Sequence, residues 1–130
     1  MSQPRVVSPE HPYRHLALVL FAMLFVGGGI GHFVITDAYV RIVPPALPWP
    51  RALVYLSGAS EVLGGLGVLY SRTRWAAAWG LVALLVAVFP ANVYMAMHGI
   101  GAPAWVLWLR LPLQGLLIAW AWVYTRRVRG

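Results

Sequence analysis

The chain of 130 residues is 61% hydrophobic and only 10% charged, yet its formal net charge is +7. A pI near 10.9 beside a mean hydropathy of +0.73 excludes the solvated basic face that a nucleic-acid binder needs, and points to a membrane. Cysteine and lysine are both absent, which removes disulfides, thiol redox chemistry, cysteine-ligated clusters and Schiff-base catalysis.

In chain order, the first element is an apolar run over 16–35, preceded by Arg5 and Arg14. It resembles a secretion signal, but it continues to Ile35 without a small-residue cleavage site, so it reads as a retained first helix. A long segment, 36–51, follows. Its Pro44, Pro45, Pro48 and Pro50 forbid a regular helix there, and Tyr39 with Trp49 suits a membrane interface. Two readings of this segment stay open: an interfacial linker, or a stiff lid over a site.

Three further apolar runs cover 52–70, 75–97 and 104–124. Each of the four runs is close to the roughly 20 residues that a helix needs to cross a hydrocarbon core of about 30 Å. The runs are too long and too continuously apolar for barrel strands, and 75–89 is apolar on every side, unlike a helix of a soluble bundle. The connections 71–74 and 98–103 are short enough to make neighbouring helices antiparallel. The expectation is an all-α polytopic membrane protein, an antiparallel four-transmembrane-helix bundle forming a single domain over 1–130.

The arginines orient it. Arg5, Arg14, Arg72, Arg74, Arg126, Arg127 and Arg129 fall on one side, against Arg41 and Arg51 on the other. Positive charge concentrates on the cytoplasmic side, which places both termini in the cytoplasm. The basic pI is thus an orientation signal, and no nucleic-acid partner is expected.

Polar groups within the spans carry the functional reading, because each costs free energy in hydrocarbon. From about 1.5 Å per residue, Glu61 lies at mid-span, with Arg110, Asn92 and His32 about 6, 9 and 10 Å toward the 36–51 side. Side chains lean toward their own helix N-terminus, which moves the four into one layer. Glu61 and Arg110 are the only deep charges of their signs, so they are expected to be in contact. Gln114, one turn from Arg110, and Ser57, one turn from Glu61, are placed to satisfy leftover donors and acceptors. Pro90 should free the carbonyl of Val86 and kink the third span near Asn92.

The remaining features have plainer readings. Gly27 with Gly31 and Ser60 with Gly64 form small-residue pairs that let helices approach closely. Gly64-Gly65-Leu66-Gly67 lacks the strand and lysine of a phosphate loop. Trp105, Trp108, Trp120 and Trp122 mark the two ends of the last span. His98 reads as an interfacial cap beside Gly99, and His32 has no second ligand at metal spacing, so neither a metal nor a resident cofactor is expected.

Taken together, Gly31-His32-Phe33, the Pro44-Pro45 and Leu47-Pro48 loop, Ser57 to Glu61 with Gly64 to Gly67, Phe89-Pro90-Ala91-Asn92 and Arg110 to Gln114 resemble the DoxX-like family of small bacterial membrane proteins. The resemblance spans about 16–125 and implies four transmembrane helices in a bacterial inner membrane. It also implies redox-associated roles in some members, including a quinone-linked oxidoreductase subunit. The family-like polar positions are Glu61, Asn92, Arg110 and Gln114.

Three functions compete. One is a bundle whose intramembrane pocket of Glu61, Arg110, Asn92 and His32, with Gln114 and Ser57, binds a small amphipathic ligand such as a quinone or lipid. The second is an accessory subunit of a larger membrane redox complex, or a homo-oligomer, in which a Glu61–Arg110 pair is purely structural. The third is quinone-linked catalysis with electrons from a partner. That one rests on the resemblance alone, and no catalytic residue is assigned.

Overall fold

The computed structural model describes residues 12–126. Arg5, Arg127 and Arg129, which enter the charge argument, lie outside the described residues. The described chain forms five helices in the order α1 (Pro12–Val34), α2 (Thr36–Val40), α3 (Pro50–Leu69), α4 (Arg74–His98) and α5 (Ala104–Val123), with no strand among them. All but α2 are long and apolar enough to cross a membrane, so this is an all-α, multi-pass membrane protein. Helices are the form that spans take because hydrocarbon offers no partner to a backbone N–H or carbonyl.

The breaks between helices are locally satisfied. At the α3–α4 turn, Thr73 Oγ1 donates to the Gly67 carbonyl at 2.6 Å and Arg74 Nε to that of Val68 at 2.7 Å. Both acceptors lie in the last turn of α3, where carbonyls lack intrahelical partners. Gly99 ends α4 in the left-handed region with φ 61°, and its N–H donates to the Met95 carbonyl. One departure from the sequence reading is α2, a helix within the segment expected to be irregular. The prolines begin only at Pro44, so Thr36–Val40 is free to coil, and Thr36 Oγ1 anchors it by donating to the His32 carbonyl at 2.8 Å. Trp49, held between Pro48 and Pro50, takes a left-handed φ of 52° just ahead of α3.

The spans are arranged as a row rather than a closed ring. The α1 backbone packs on α3, α3 on α4, and α4 on α5, while α1 and α5 make no close backbone approach. At the terminal end side chains bridge the two: Phe21 reaches from α1 to Trp120 and Tyr124, with ring centroids 5.1 and 5.2 Å apart. Around it Leu18, Phe25, Val68, Leu81, Leu85 and Ala121 form the main buried cluster. A second, smaller cluster of Met95, Ala96 and Leu107 lies at the α2 end, capped by Ile42, Ile100 and Ala102.

Glycine sets the α1–α3 spacing, though not at the expected pair. A Cβ on Gly29 would lie 2.6 Å from the Gly58 carbonyl oxygen and one on Gly58 2.6 Å from His32 Cβ, so neither position admits a side chain without moving a helix. Gly27, assigned to packing from its spacing with Gly31, faces open space. The stripe of α1 that meets α3 runs through Ala22, Val26 and Gly29, two residues and about 200° away from Gly27. Gly64 does pack, against Leu81 of α4, but Ser60 is exposed and donates back to the Leu56 carbonyl.

Candidate functional site

The α3–α4 contact is close at the terminal end, where Gly64 meets Leu81 and Gly67 meets Ala77. Toward α2 the same face of α3, carrying Leu53, Leu56, Ser57 and Ser60, no longer meets α4 but lines a cleft of about 540 Å³. Leu84, Val88 and Asn92 of α4 and Leu113, Gln114 and Leu117 of α5 form the opposite wall. Ile42, Val43, Pro44 and Leu47 close it from the α2 side, and Ile42 is seated on the Met95–Leu107 cluster. The proline segment thus lines the cleft at Pro44 and Leu47, while Trp49 beyond them is 77% exposed. His32, Ser57, Glu61, Asn92, Arg110 and Gln114, the six residues singled out in the sequence, all line this cleft.

Their pairing differs from expectation. Glu61 does not meet Arg110; its Oε2 lies 3.1 Å from Nδ1 of His32. The reason is the row arrangement, since His32 sits on α1, directly against α3, whereas Arg110 sits on α5, which has no backbone contact with α3. The carboxylate lies over Gly28, where a Cβ would meet Glu61 Oε1 at an ordinary contact distance of 3.5 Å.

His32 Nδ1 is also 2.9 Å from the Gly28 carbonyl, one turn back on its own helix. A proton on Nδ1 is aligned with this carbonyl and not with the Glu61 carboxylate. The geometry directs it to Gly28, so the contact with Glu61 is an approach of ionisable groups and not a hydrogen bond. Glu61 Oε2 is accordingly buried without a hydrogen-bond partner. A buried carboxyl oxygen with an unmade bond is costly, by about 1–3 kcal/mol, unless something fills it.

The amides pair with each other. Asn92 Nδ2 donates to Gln114 Oε1, and Gln114 Nε2 donates to the Leu85 carbonyl at 2.5 Å, tying α4 to α5. Gln114 therefore serves Asn92 rather than Arg110, and the carbonyl it reaches is that of Leu85, next to the Val86 carbonyl expected to be freed by Pro90. Ser57 likewise does not reach Glu61, because its hydroxyl donates to the Val54 carbonyl of its own helix at 2.9 Å. Arg110 is left apart. Its recorded contact is NH1 to Met95 Sδ at 3.8 Å, and it makes no ion pair among the described residues.

One site residue escaped the sequence reading. Tyr39 of α2, assigned there to the membrane interface, stacks on His32 with centroids 4.0 Å apart and planes 18° from parallel. Its hydroxyl lies over Gly31, where a Cβ would be 3.6 Å away. Burial pushes the Tyr39 hydroxyl above the usual phenol range; Glu61 adds to this and Arg110 opposes it, which puts the hydroxyl within the fields of both. It stays a protonated donor at neutral pH. An aromatic seven residues beyond an in-span histidine was the available signal.

Among the described residues no three His, Cys, Asp or Glu side chains group closely enough to hold a metal ion. The cleft instead offers one unfilled carboxyl oxygen, one guanidinium without a counter-ion, a phenol, and long apolar walls.

The fold and cleft define a small polytopic membrane bundle with polar groups from every span facing one opening. Comparison with protein-family models places it further: residues 21–125 match the model described as Domain of unknown function (DUF8561), and the chain belongs to that family. No curated protein and no solved structure matches it.

Proposed function

We propose that the protein is a DoxX-like binding bundle of a bacterial inner membrane, with both termini cytoplasmic, whose cleft holds a small amphipathic ligand such as a quinone or a lipid. The observation that carries this reading is Glu61 Oε2, buried with no hydrogen-bond partner among the described residues, beside a cleft of about 540 Å³ lined by His32, Asn92, Arg110 and Gln114. A ligand hydroxyl or carbonyl in that cleft finds an acceptor at Glu61 and donors at Tyr39 and Arg110, while its chain lies along Leu84, Val88, Leu113 and Leu117. The volume is within the roughly 300–1,000 Å³ of small-molecule sites.

The test is native mass spectrometry of protein extracted in mild detergent. Wild type should retain a small molecule that Val88→Trp, which fills the cleft, releases while keeping its helical circular dichroism. Ligand-free wild type that co-migrates with a stoichiometric protein partner would favour the accessory-subunit reading instead.

A further inference from the structure

Resting on the reading of the cleft as a ligand site, we propose that its occupant is an amphiphile with an anionic headgroup, a phosphate or a carboxylate, which comes in sideways from the bilayer and is held by Arg110. The argument begins with a count of charges. Among the described residues the carboxylates are Asp37 and Glu61. Asp37 is taken by Arg51, with Oδ1 to NH2 at 2.6 Å, and Glu61 faces His32 of α1 and not Arg110. Neither carboxylate is paired with Arg110.

A guanidinium at membrane depth without a counter-ion is costly, and its five N–H donors call for a planar oxyanion acceptor. Met95 Sδ, at 3.8 Å, is a weak acceptor and supplies no charge. The other polar wall does not compete for an anion. Asn92 and Gln114 are bonded to each other and to the Leu85 carbonyl. The headgroup charge therefore belongs at α5, with any hydroxyl or ester group of the ligand directed to Tyr39 and Glu61.

The route follows from what closes the cleft. Its α2-side end is covered by Ile42, Val43, Pro44 and Leu47, and its terminal end by the Phe21 cluster. Apart from Leu47 of the proline segment, the lining residues that are exposed are Leu53, Leu56 and Ser60 on α3, Ala87 on α4, and Leu113 and Arg110 on α5. They lie within membrane-spanning helices and are mostly apolar, so the opening faces acyl chains and not water. A lipid or fatty acid can slide in with its tail along Leu113 and Leu117 and its head at the depth of Arg110, about one and a half turns from the start of α5.

The experiment offers the full chain, in mild detergent, equal amounts of phosphatidylglycerol, oleate, phosphatidylcholine and a neutral long-chain quinone, and reads retained ligand by native mass spectrometry. Wild type should retain phosphatidylglycerol or oleate over phosphatidylcholine and quinone by about tenfold, the equivalent of one charge-assisted contact. Preference for the first of the pair identifies a lipid phosphate, and for the second a free carboxylate. Arg110→Gln should reduce that preference to about parity, and Arg110→Lys, which keeps the charge, should keep most of it. Equal or better retention of quinone or phosphatidylcholine by wild type would overturn the anionic assignment while leaving the cleft as a ligand site. Retention that Val88→Trp leaves unchanged, or no retention at all, would remove both.

Discussion

The two halves of the bundle are built from the same four spans and solve opposite problems. At the terminal end, Phe21 and Leu81 are fully buried and aromatic rings bridge α1 to α5. At the α2 end α1 still abuts α3 at Gly29 and Gly58, and α4 still packs on α5 through Met95 and Leu107, but α3 parts from α4 and every span places a polar group on the opening. The difference teaches that one seam, between α3 and α4, opens while the pairs on either side of it stay packed. In a bilayer, hydrophobic burial does little to bring helices together, so close van der Waals fit within those two pairs and across the terminal end has to hold the bundle while the seam stays open.

The contrast can be broken in graded ways. The largest effect should come from Phe21→Ala, which empties the site between Phe25, Trp120 and Tyr124 and should cost about 3 kcal/mol, against less than about 1 kcal/mol for Val88→Ala on the cleft wall. Reversible unfolding in mixed micelles measures both, and equal costs would erase the distinction between the halves. Next is Gly58→Val, whose branched side chain must displace His32 and the α1 backbone. A loss of about 2 kcal/mol is expected, whereas Gly80→Ala, which meets nothing within 4 Å, should change stability by less than about 0.5 kcal/mol.

The smallest effect is at the α4–α5 amide link. Gln114→Leu removes the bonds to Asn92 and to the Leu85 carbonyl, and inter-helix hydrogen bonds in membranes are worth about 0.6 kcal/mol on average. The cost should be near 1 kcal/mol, and adding Asn92→Leu should cost little more, because the two amides share one bond. Full additivity in the double variant would show that the link does not stabilise the bundle.

Much of the fold was legible because membrane length and apolarity are one-dimensional properties. The spans expected over 16–35, 52–70, 75–97 and 104–124 match α1, α3, α4 and α5 to within a few residues at each end. Depth is also one-dimensional, and counting along each helix places His32, Glu61, Asn92 and Arg110 in a layer whose members all line the cleft. What the chain does not write down is which helices are neighbours. The rule that a lone carboxylate seeks a lone guanidinium paired Glu61 with Arg110, but α3 abuts α1 and not α5, so the histidine lies beside it instead. The same gap in knowledge put Gly27 in an interface that Gly29 occupies, and left Tyr39 at the membrane surface, since nothing along the sequence folds α2 back over His32.

The central claim, that the α2-side half is an open cleft holding an amphiphile from the bilayer, is tested most directly by photo-crosslinking. The protein is reconstituted with a phospholipid bearing a diazirine on its acyl chain, irradiated, and mapped by peptide mass spectrometry. Adducts on the inward-facing Leu84, Val88 and Leu117, lost in Val88→Trp, are the outcome this account requires. Adducts confined to lipid-facing residues such as Leu116 and Trp122, with the cleft wall unlabelled, would contradict it.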